Sequence, residues 1–377
     1  MLISIARTNA QNAVIPRHAA CRGLSLFVAA DRRGIPRFAR NDHGRYLFLL
    51  LTNRCFRALF CLALAACSLL LAGGARGSEL DIPADAKEAI RLGYSGKPEA
   101  AVALAHKLEA ARPDHPLGYL IEADLLWWNI YCKRSERKYN TIDAWGQPRP
   151  ADADDDAEIA LSDKVTRLAE ASIAKLDTAE MELYAGLGYA SRARLLGLRF
   201  EKMPVARAGV AARKHLLRCL ELDPEMADAD LGLGLYNYYV DTLSGMAKVL
   251  RFFMGIPGGD KRVGLRQLEI ASSKGELTQV EARFNMAKNL RNYDLEFARA
   301  LAAASPLTAE FPENPVFQLV VGDIDAKLGH DDEAAMRFRA AAAAPPQDAA
   351  CAMRVQQLAR ESLDALASKQ KDHNPQK

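Results

Sequence analysis

The chain has 377 residues, 50% hydrophobic, 26% charged and 7% aromatic, with 24 Gly and 17 Pro. That composition excludes a wholly disordered, collagen-like or low-complexity chain, and the length allows two or three domains or one long array. The net charge of +3 hides an asymmetry, because residues 1–57 hold ten Arg and two Asp with no Lys or Glu, which leaves the remainder mildly acidic.

Residues 1–53 show no sustained helical or strand period. They are expected to be a disordered N-terminal extension, or sequence upstream of a true start near Leu47–Leu51. Their composition would also suit an organellar transit peptide. Arg54 and Arg57 then precede an uncharged run, Ala58–Ala75, followed by Arg76 and Gly77. A basic flank, an apolar stretch and small residues at Ala75 and Gly77 form the layout of a signal peptide over 54–77, cleaved after Gly77. Two other readings stay open. Leu64-Ala65-Ala66-Cys67 resembles the bacterial lipobox, and acylation of Cys67 would make the protein lipid-anchored and peripheral to a membrane. Alternatively the apolar run stays as an uncleaved N-terminal helical anchor. The expected location is therefore periplasmic or outer-membrane associated.

Four of the seven Cys lie in this leader, leaving Cys132, Cys219 and Cys351, odd in number and widely spaced. The spacing predicts neither a disulfide framework nor a zinc pattern, so the fold is expected to rest on an ordinary core. Nucleic-acid binding is disfavoured, since no Lys/Arg cluster interleaved with aromatics follows the leader.

From residue 78 on, Ala, Leu, Glu, Lys and Arg dominate and apolar residues recur every three or four positions. This predicts an all-α domain over 78–377. Helices are expected at 84–93, 97–111, 115–132, 157–176, 178–199, 204–222, 225–242, 245–254, 260–273, 277–292, 294–311, 315–328, 331–344 and 348–368. Caps are expected at Asp177 with Glu180, at Thr278 with Glu281, and at Asp260.

An internal repeat organises these helices. Gly322, Gly329, Ala334, Phe338, Ala341 and Pro346 have the same spacing as Ala89, Gly96, Ala101, Ala105, Leu108 and Pro113. Ala300/Pro312 and Ala212/Pro224 repeat part of it. Small residues suit the crossing of paired helices, Gly suits the turn, and Pro ends the second helix. The pattern resembles the tetratricopeptide-repeat superfamily over roughly 82–346, most clearly at 82–113, 281–312 and 315–346. The resemblance implies an α-solenoid of tetratricopeptide-like helix pairs. Two insertions interrupt the spacing, the loop Asp143–Asp156 and the segment Gly245–Lys274. Gly232-Leu233-Gly234-Leu235-Tyr236-Asn237 and Gly255-Ile256-Pro257-Gly258-Gly259-Asp260 are similar to a stretch of the eukaryotic tetratricopeptide-domain-39 family, which includes mitochondrial inclusion-clearance proteins. That likeness implies fold and not function.

No catalytic constellation is legible, and neither a cofactor nor a metal is expected. Asp152-Ala153-Asp154-Asp155-Asp156 has the ligand order of an EF-hand loop but lacks its turn Gly, so an acidic helix start is the reading preferred. Gly255–Arg262 lacks the P-loop Gly-Lys-Ser/Thr and reads as a turn and cap. Val249–Met254 could touch a membrane or partner, although an extra packed helix is preferred. The functional candidate is geometric. Asn285, Asn289 and Asn292 fall at steps of four and three on one helix, and with Tyr189 and Arg192 they are expected to face the concave groove of the array. There they would bond an extended peptide backbone. The expected function is a non-enzymatic scaffold or adaptor for protein or peptide partners. The alternative is a glycan- or substrate-binding accessory module, motivated by Trp127, Trp128 and Trp145.

Overall fold

A computed structural model of the protein describes residues 80–245, 247, 248, 251, 255–344 and 348–373. The 1–53 extension, the 54–77 signal layout with Cys67, and Pro346 lie outside them, as does Val249–Met254 except for Arg251. The described elements are α1 (Ala84–Tyr94), α2 (Pro98–Ala111), α3 (Pro116–Arg134), β1 (Ser135–Lys138), β2 (Thr141–Ala144), α4 (Ala153–Ile173), α5 (Ala179–Leu198), α6 (Lys202–Leu222) and α7 (Ala229–Thr242). There follow α8 (Lys261–Lys274), α9 (Gln279–Asn289), a π-helical turn (Leu290–Asp294), α10 (Phe297–Glu310), α11 (Pro315–Leu328), α12 (Asp331–Ala343) and α13 (Ala349–His373). Each helix packs chiefly on its neighbours in sequence, giving an all-α, solenoid-like stack.

The repeated small residues act where helices cross. A Cβ on Gly322 would come within 2.8 Å of the Phe338 ring, so only Gly lets α11 and α12 approach this closely. Ala334 and Phe338 are buried in the same contact. Gly329 ends α11 with φ +81°, a left-handed conformation that costs Gly nothing. Gly234 and Gly264 serve α7 and α8 likewise: a Cβ on Gly264 would lie 2.6 Å from the Gly234 carbonyl oxygen.

Helix starts follow local chemistry with small departures from the sequence reading. Asp260 caps α8, accepting from the N–H groups of Arg262 and Val263. The cap of α5 is Thr178 and not Asp177, which instead pairs with Arg218. Thr278 does not cap α9; its hydroxyl and N–H both donate to buried Asp228. The acidic run begins α4 four residues earlier than expected. Asp152 and Asp155 form a capping box, and Asp155 accepts both Arg149 guanidinium nitrogens.

Three features depart further from expectation. The region before α4 contains a β-hairpin, with Lys138 paired to Thr141 across a two-residue turn of positive φ at Tyr139 and Asn140. The helix expected to reach residue 292 changes to π geometry at Leu290. Most consequentially, Cys132 and Cys351 form a disulfide, with Cα atoms 5.4 Å apart. The odd, widely spaced cysteines predict no disulfide framework, yet two of the three pair, and Cys219 remains a buried thiol, pushed up to about 12 by burial.

These contacts curl the stack on itself. The Asn314 side chain donates to the Tyr94 carbonyl at 2.9 Å, joining the end of α1 to the start of α11. Tyr94, Trp128, Tyr131, Phe284, Phe311 and Phe317 pack together, mostly edge-on or tilted, with neighbouring centroids 4.8–6.1 Å apart, for example 4.8 Å for Trp128 and Phe284. Each fully buried ring contributes roughly 1.5–3 kcal/mol over leaving it exposed. Among the described residues, no helix is long and apolar enough to cross a membrane.

Candidate functional site

Curling turns one face of α1, α3, α5, α7, α9 and α11 toward a common interior, where they line a partly open chamber of about 600 Å³. Its walls are largely apolar, with Leu117, Leu120, Leu125, Leu187, Leu231 and Leu235 among them. The disulfide forms part of the wall, since both Cys132 and Cys351 line it. Size and apolar lining with a few convergent polar groups are the properties of a ligand site.

The polar centre is Arg194 of α5. It donates to Glu281 Oε1 of α9 at 2.6 Å, to Asp124 of α3, and to Ser191 Oγ at 3.2 Å. Its guanidinium lies 4.7 Å from the Trp127 ring centroid, within cation–π range. Burial would lower its pKa, but Glu281, Asp124 and Glu158 outweigh burial and hold it above the ordinary value. Conversely, burial raises Glu281, with Arg194 offsetting part of the shift. Behind this trio stands Glu158, fully buried, whose Oε1 accepts from Ser162 at 3.1 Å and Ser191 at 2.7 Å. Burial pushes it up to about 7, against the pull of Arg194. Around the chamber Glu99, Glu122, Asp124, Glu281 and Asp348 face one cation, Arg194. The chamber is acidic.

The expected groove residues do not gather here. Asn289 is fully buried, its Oδ1 accepting from the Tyr239 hydroxyl at 2.8 Å and its carbonyl from Tyr238. Asn285 folds back on its own helix and donates to the Glu281 carbonyl at 2.9 Å. The π-helical turn rotates Asn292 off the stripe, toward Asp143 of the hairpin. Tyr189 donates to Glu170 of α4 at 2.9 Å and stacks on His215 of α6, while Arg192 pairs with Asp163. The chamber-facing stripe of α5 is instead Leu187, Ser191 and Arg194, at steps of four and three. Sequence reasoning missed Arg194, Asp124 and Glu281; the available signal was a charge on the same stripe as Leu187.

The three tryptophans are likewise separate. Trp128 packs in the aromatic core, Trp127 lies under Arg194, and Trp145 meets Tyr139 of the hairpin at 5.7 Å. Among the described residues, one group has the donors and spacing to hold a metal ion: His106, Glu109 and Glu122, with ligand atoms within 4.8 Å of one another. Burial and then the Glu122 carboxylate push Glu109 up to about 7. No protein-family model matches the chain, and no curated protein matches it.

Proposed function

We propose that this is an exported, non-enzymatic, tetratricopeptide-like adaptor that holds a short peptide segment inside the acidic chamber. The carrying observation is the chamber itself, an apolar space with five carboxylates against one guanidinium. Apolar walls favour apolar side chains, and the excess of carboxylates favours a Lys or Arg side chain or an N-terminal amine. A volume of about 600 Å³ suits a few residues and not a folded partner. The Cys132–Cys351 bridge supports export, since disulfides persist in oxidising compartments, and so does the basic-apolar-small layout at 54–77.

Calorimetric titration of a short alternating Leu/Lys peptide against its Leu/Glu counterpart tests the reading. The basic peptide should bind at least about tenfold tighter, and Asp124→Asn should narrow that gap. Equal affinities, or preference for the acidic peptide, would refute it.

A further inference from the structure

A second cavity, of about 840 Å³, opens among the hairpin, the π-helical turn, α11 and α13. Its chemistry is opposite to that of the chamber. Among the described residues, Arg137, Arg291, Lys327 and Lys369 line it, against the single carboxylate of Asp323. Lys369 is paired with Asp331 at 2.8 Å, which leaves three cations around one anion.

The hydrogen bonds of these cations do not neutralise them. Arg137 donates to the Glu361 carbonyl at 2.8 Å and to the Asn140 side-chain oxygen at 2.6 Å, both uncharged acceptors. Lys327 donates to the Asn140 carbonyl and lies 3.8 Å from Asp323 Oδ1, so it shares that carboxylate with Arg291. Arg291 is 1% exposed and its Nη2 donates to the Ile142 carbonyl at 2.6 Å. Its Nη1 lies 3.3 Å from Asp323 Oδ2, yet neither atom has an aligned hydrogen-bond partner. Burial lowers the Lys327 pKa, Asp323 raises it, and the neighbouring Arg291 and Arg137 lower it further. Three cations sharing one carboxylate, partly withdrawn from water, leave positive charge that an anion would relieve.

The rim adds a second element. Tyr139 is 79% exposed, stands edge-on to Trp145, and is held at φ 52° where a non-Gly residue is uncommon. Leu295, also at positive φ, is 64% exposed on the same cavity. Large apolar side chains kept exposed beside a charged pocket suit a ligand with a ring.

We propose that this cavity binds a small anion carried on a ring, with its carboxylate or phosphate beside Arg137 and Lys327, which meet at Asn140, and its ring against Tyr139. A guanidinium beside an ammonium suits either oxyanion. This site is independent of the chamber and of the peptide reading.

Calorimetry on the full chain with glucuronate, glucose 6-phosphate, glucose and inorganic phosphate tests it. At least one of the two charged sugars should saturate by about 10 mM, and glucose should not. Which of the two binds tells carboxylate from phosphate. Lys327→Met should weaken the charged sugar about tenfold or more. Tyr139→Asn, a replacement at an exposed position that tolerates positive φ, should weaken the charged sugar and leave inorganic phosphate unchanged. Absence of saturation by both charged sugars would overturn the proposal, as would equal affinity in wild type and Tyr139→Asn. So would inorganic phosphate binding as tightly as its sugar ester.

Discussion

Cys132 on α3 and Cys351 at the start of α13 are 219 residues apart in sequence and joined by a disulfide, so the last helix is tied to the third. In an open solenoid such residues never meet, because each repeat touches only its neighbours. Here the bridge fixes the curl and forms part of the chamber wall.

The bridge closes a very long loop, and loop closure removes most entropy from the unfolded chain when the loop is long. Cys132→Ser/Cys351→Ser should therefore lose about 2–5 kcal/mol in urea unfolding under oxidising conditions. Hydrogen exchange of α13 should accelerate before that of α5 and α6. Unchanged stability would show that the helix contacts alone hold the curl.

Among the described residues that line the chamber, Arg194 is the only Lys or Arg facing its five carboxylates, and its side chain is 19% exposed. Arg194→Met keeps the stem and removes the charge, leaving Glu281 and Glu158 buried without it. Loss of about 3–5 kcal/mol is expected, as for removal of one partner from a buried ion pair. Thermal unfolding measures it, and Arg194→Met/Glu281→Gln should recover part of the loss.

Glu158 makes stability depend on pH in an unusual direction. Its folded pKa of about 7 lies above the ordinary 4.5, so the folded chain holds a proton that the unfolded chain has released. Stability should fall as pH rises from about 4.5 through 7, by up to about 3 kcal/mol from this group. Asp230, raised to about 6 by burial, acts in the same direction. Glu158→Gln keeps the acceptor for Ser191 and should flatten the slope; an unchanged profile would mean the carboxyl is already ionised near neutrality.

The helical array was legible because its signals are local. Gly322, Ala334 and Phe338 recur at spacings that only paired helices use, and Asp260 marks a cap by its identity. The interior was not legible, because it depends on how the stack curls. Arg192 and Arg194 are two residues apart and equally polar, yet one meets Asp163 on α4 and the other enters the chamber. The π-helical turn breaks the period that placed Asn292 beside Asn289. Counting cysteines could not reveal that two of three would meet across most of the domain.

Close approach of α7 and α8 gives a further test. A Cβ at residue 264 would meet the backbone of α7, 2.6 Å from the Gly234 oxygen and 2.7 Å from the Tyr238 nitrogen. Backbone cannot swing aside as a side chain can. Gly264→Ala should cost about 1–3 kcal/mol by overpacking, despite the higher helix propensity of Ala. A stabilised variant would mean the two helices are farther apart.

The partner peptide of the proposed function sits in the partly open chamber. Val102 lines it from α2 and is only half-buried, so a larger side chain there can enter the space without displacing backbone. The decisive measurement is the affinity of the Leu/Lys peptide for Val102→Trp beside wild type, at matched thermal stability. An occupied chamber predicts a loss of about tenfold or more with the melting temperature held. Unchanged affinity in the filled variant would contradict the account and put the peptide elsewhere on the molecule.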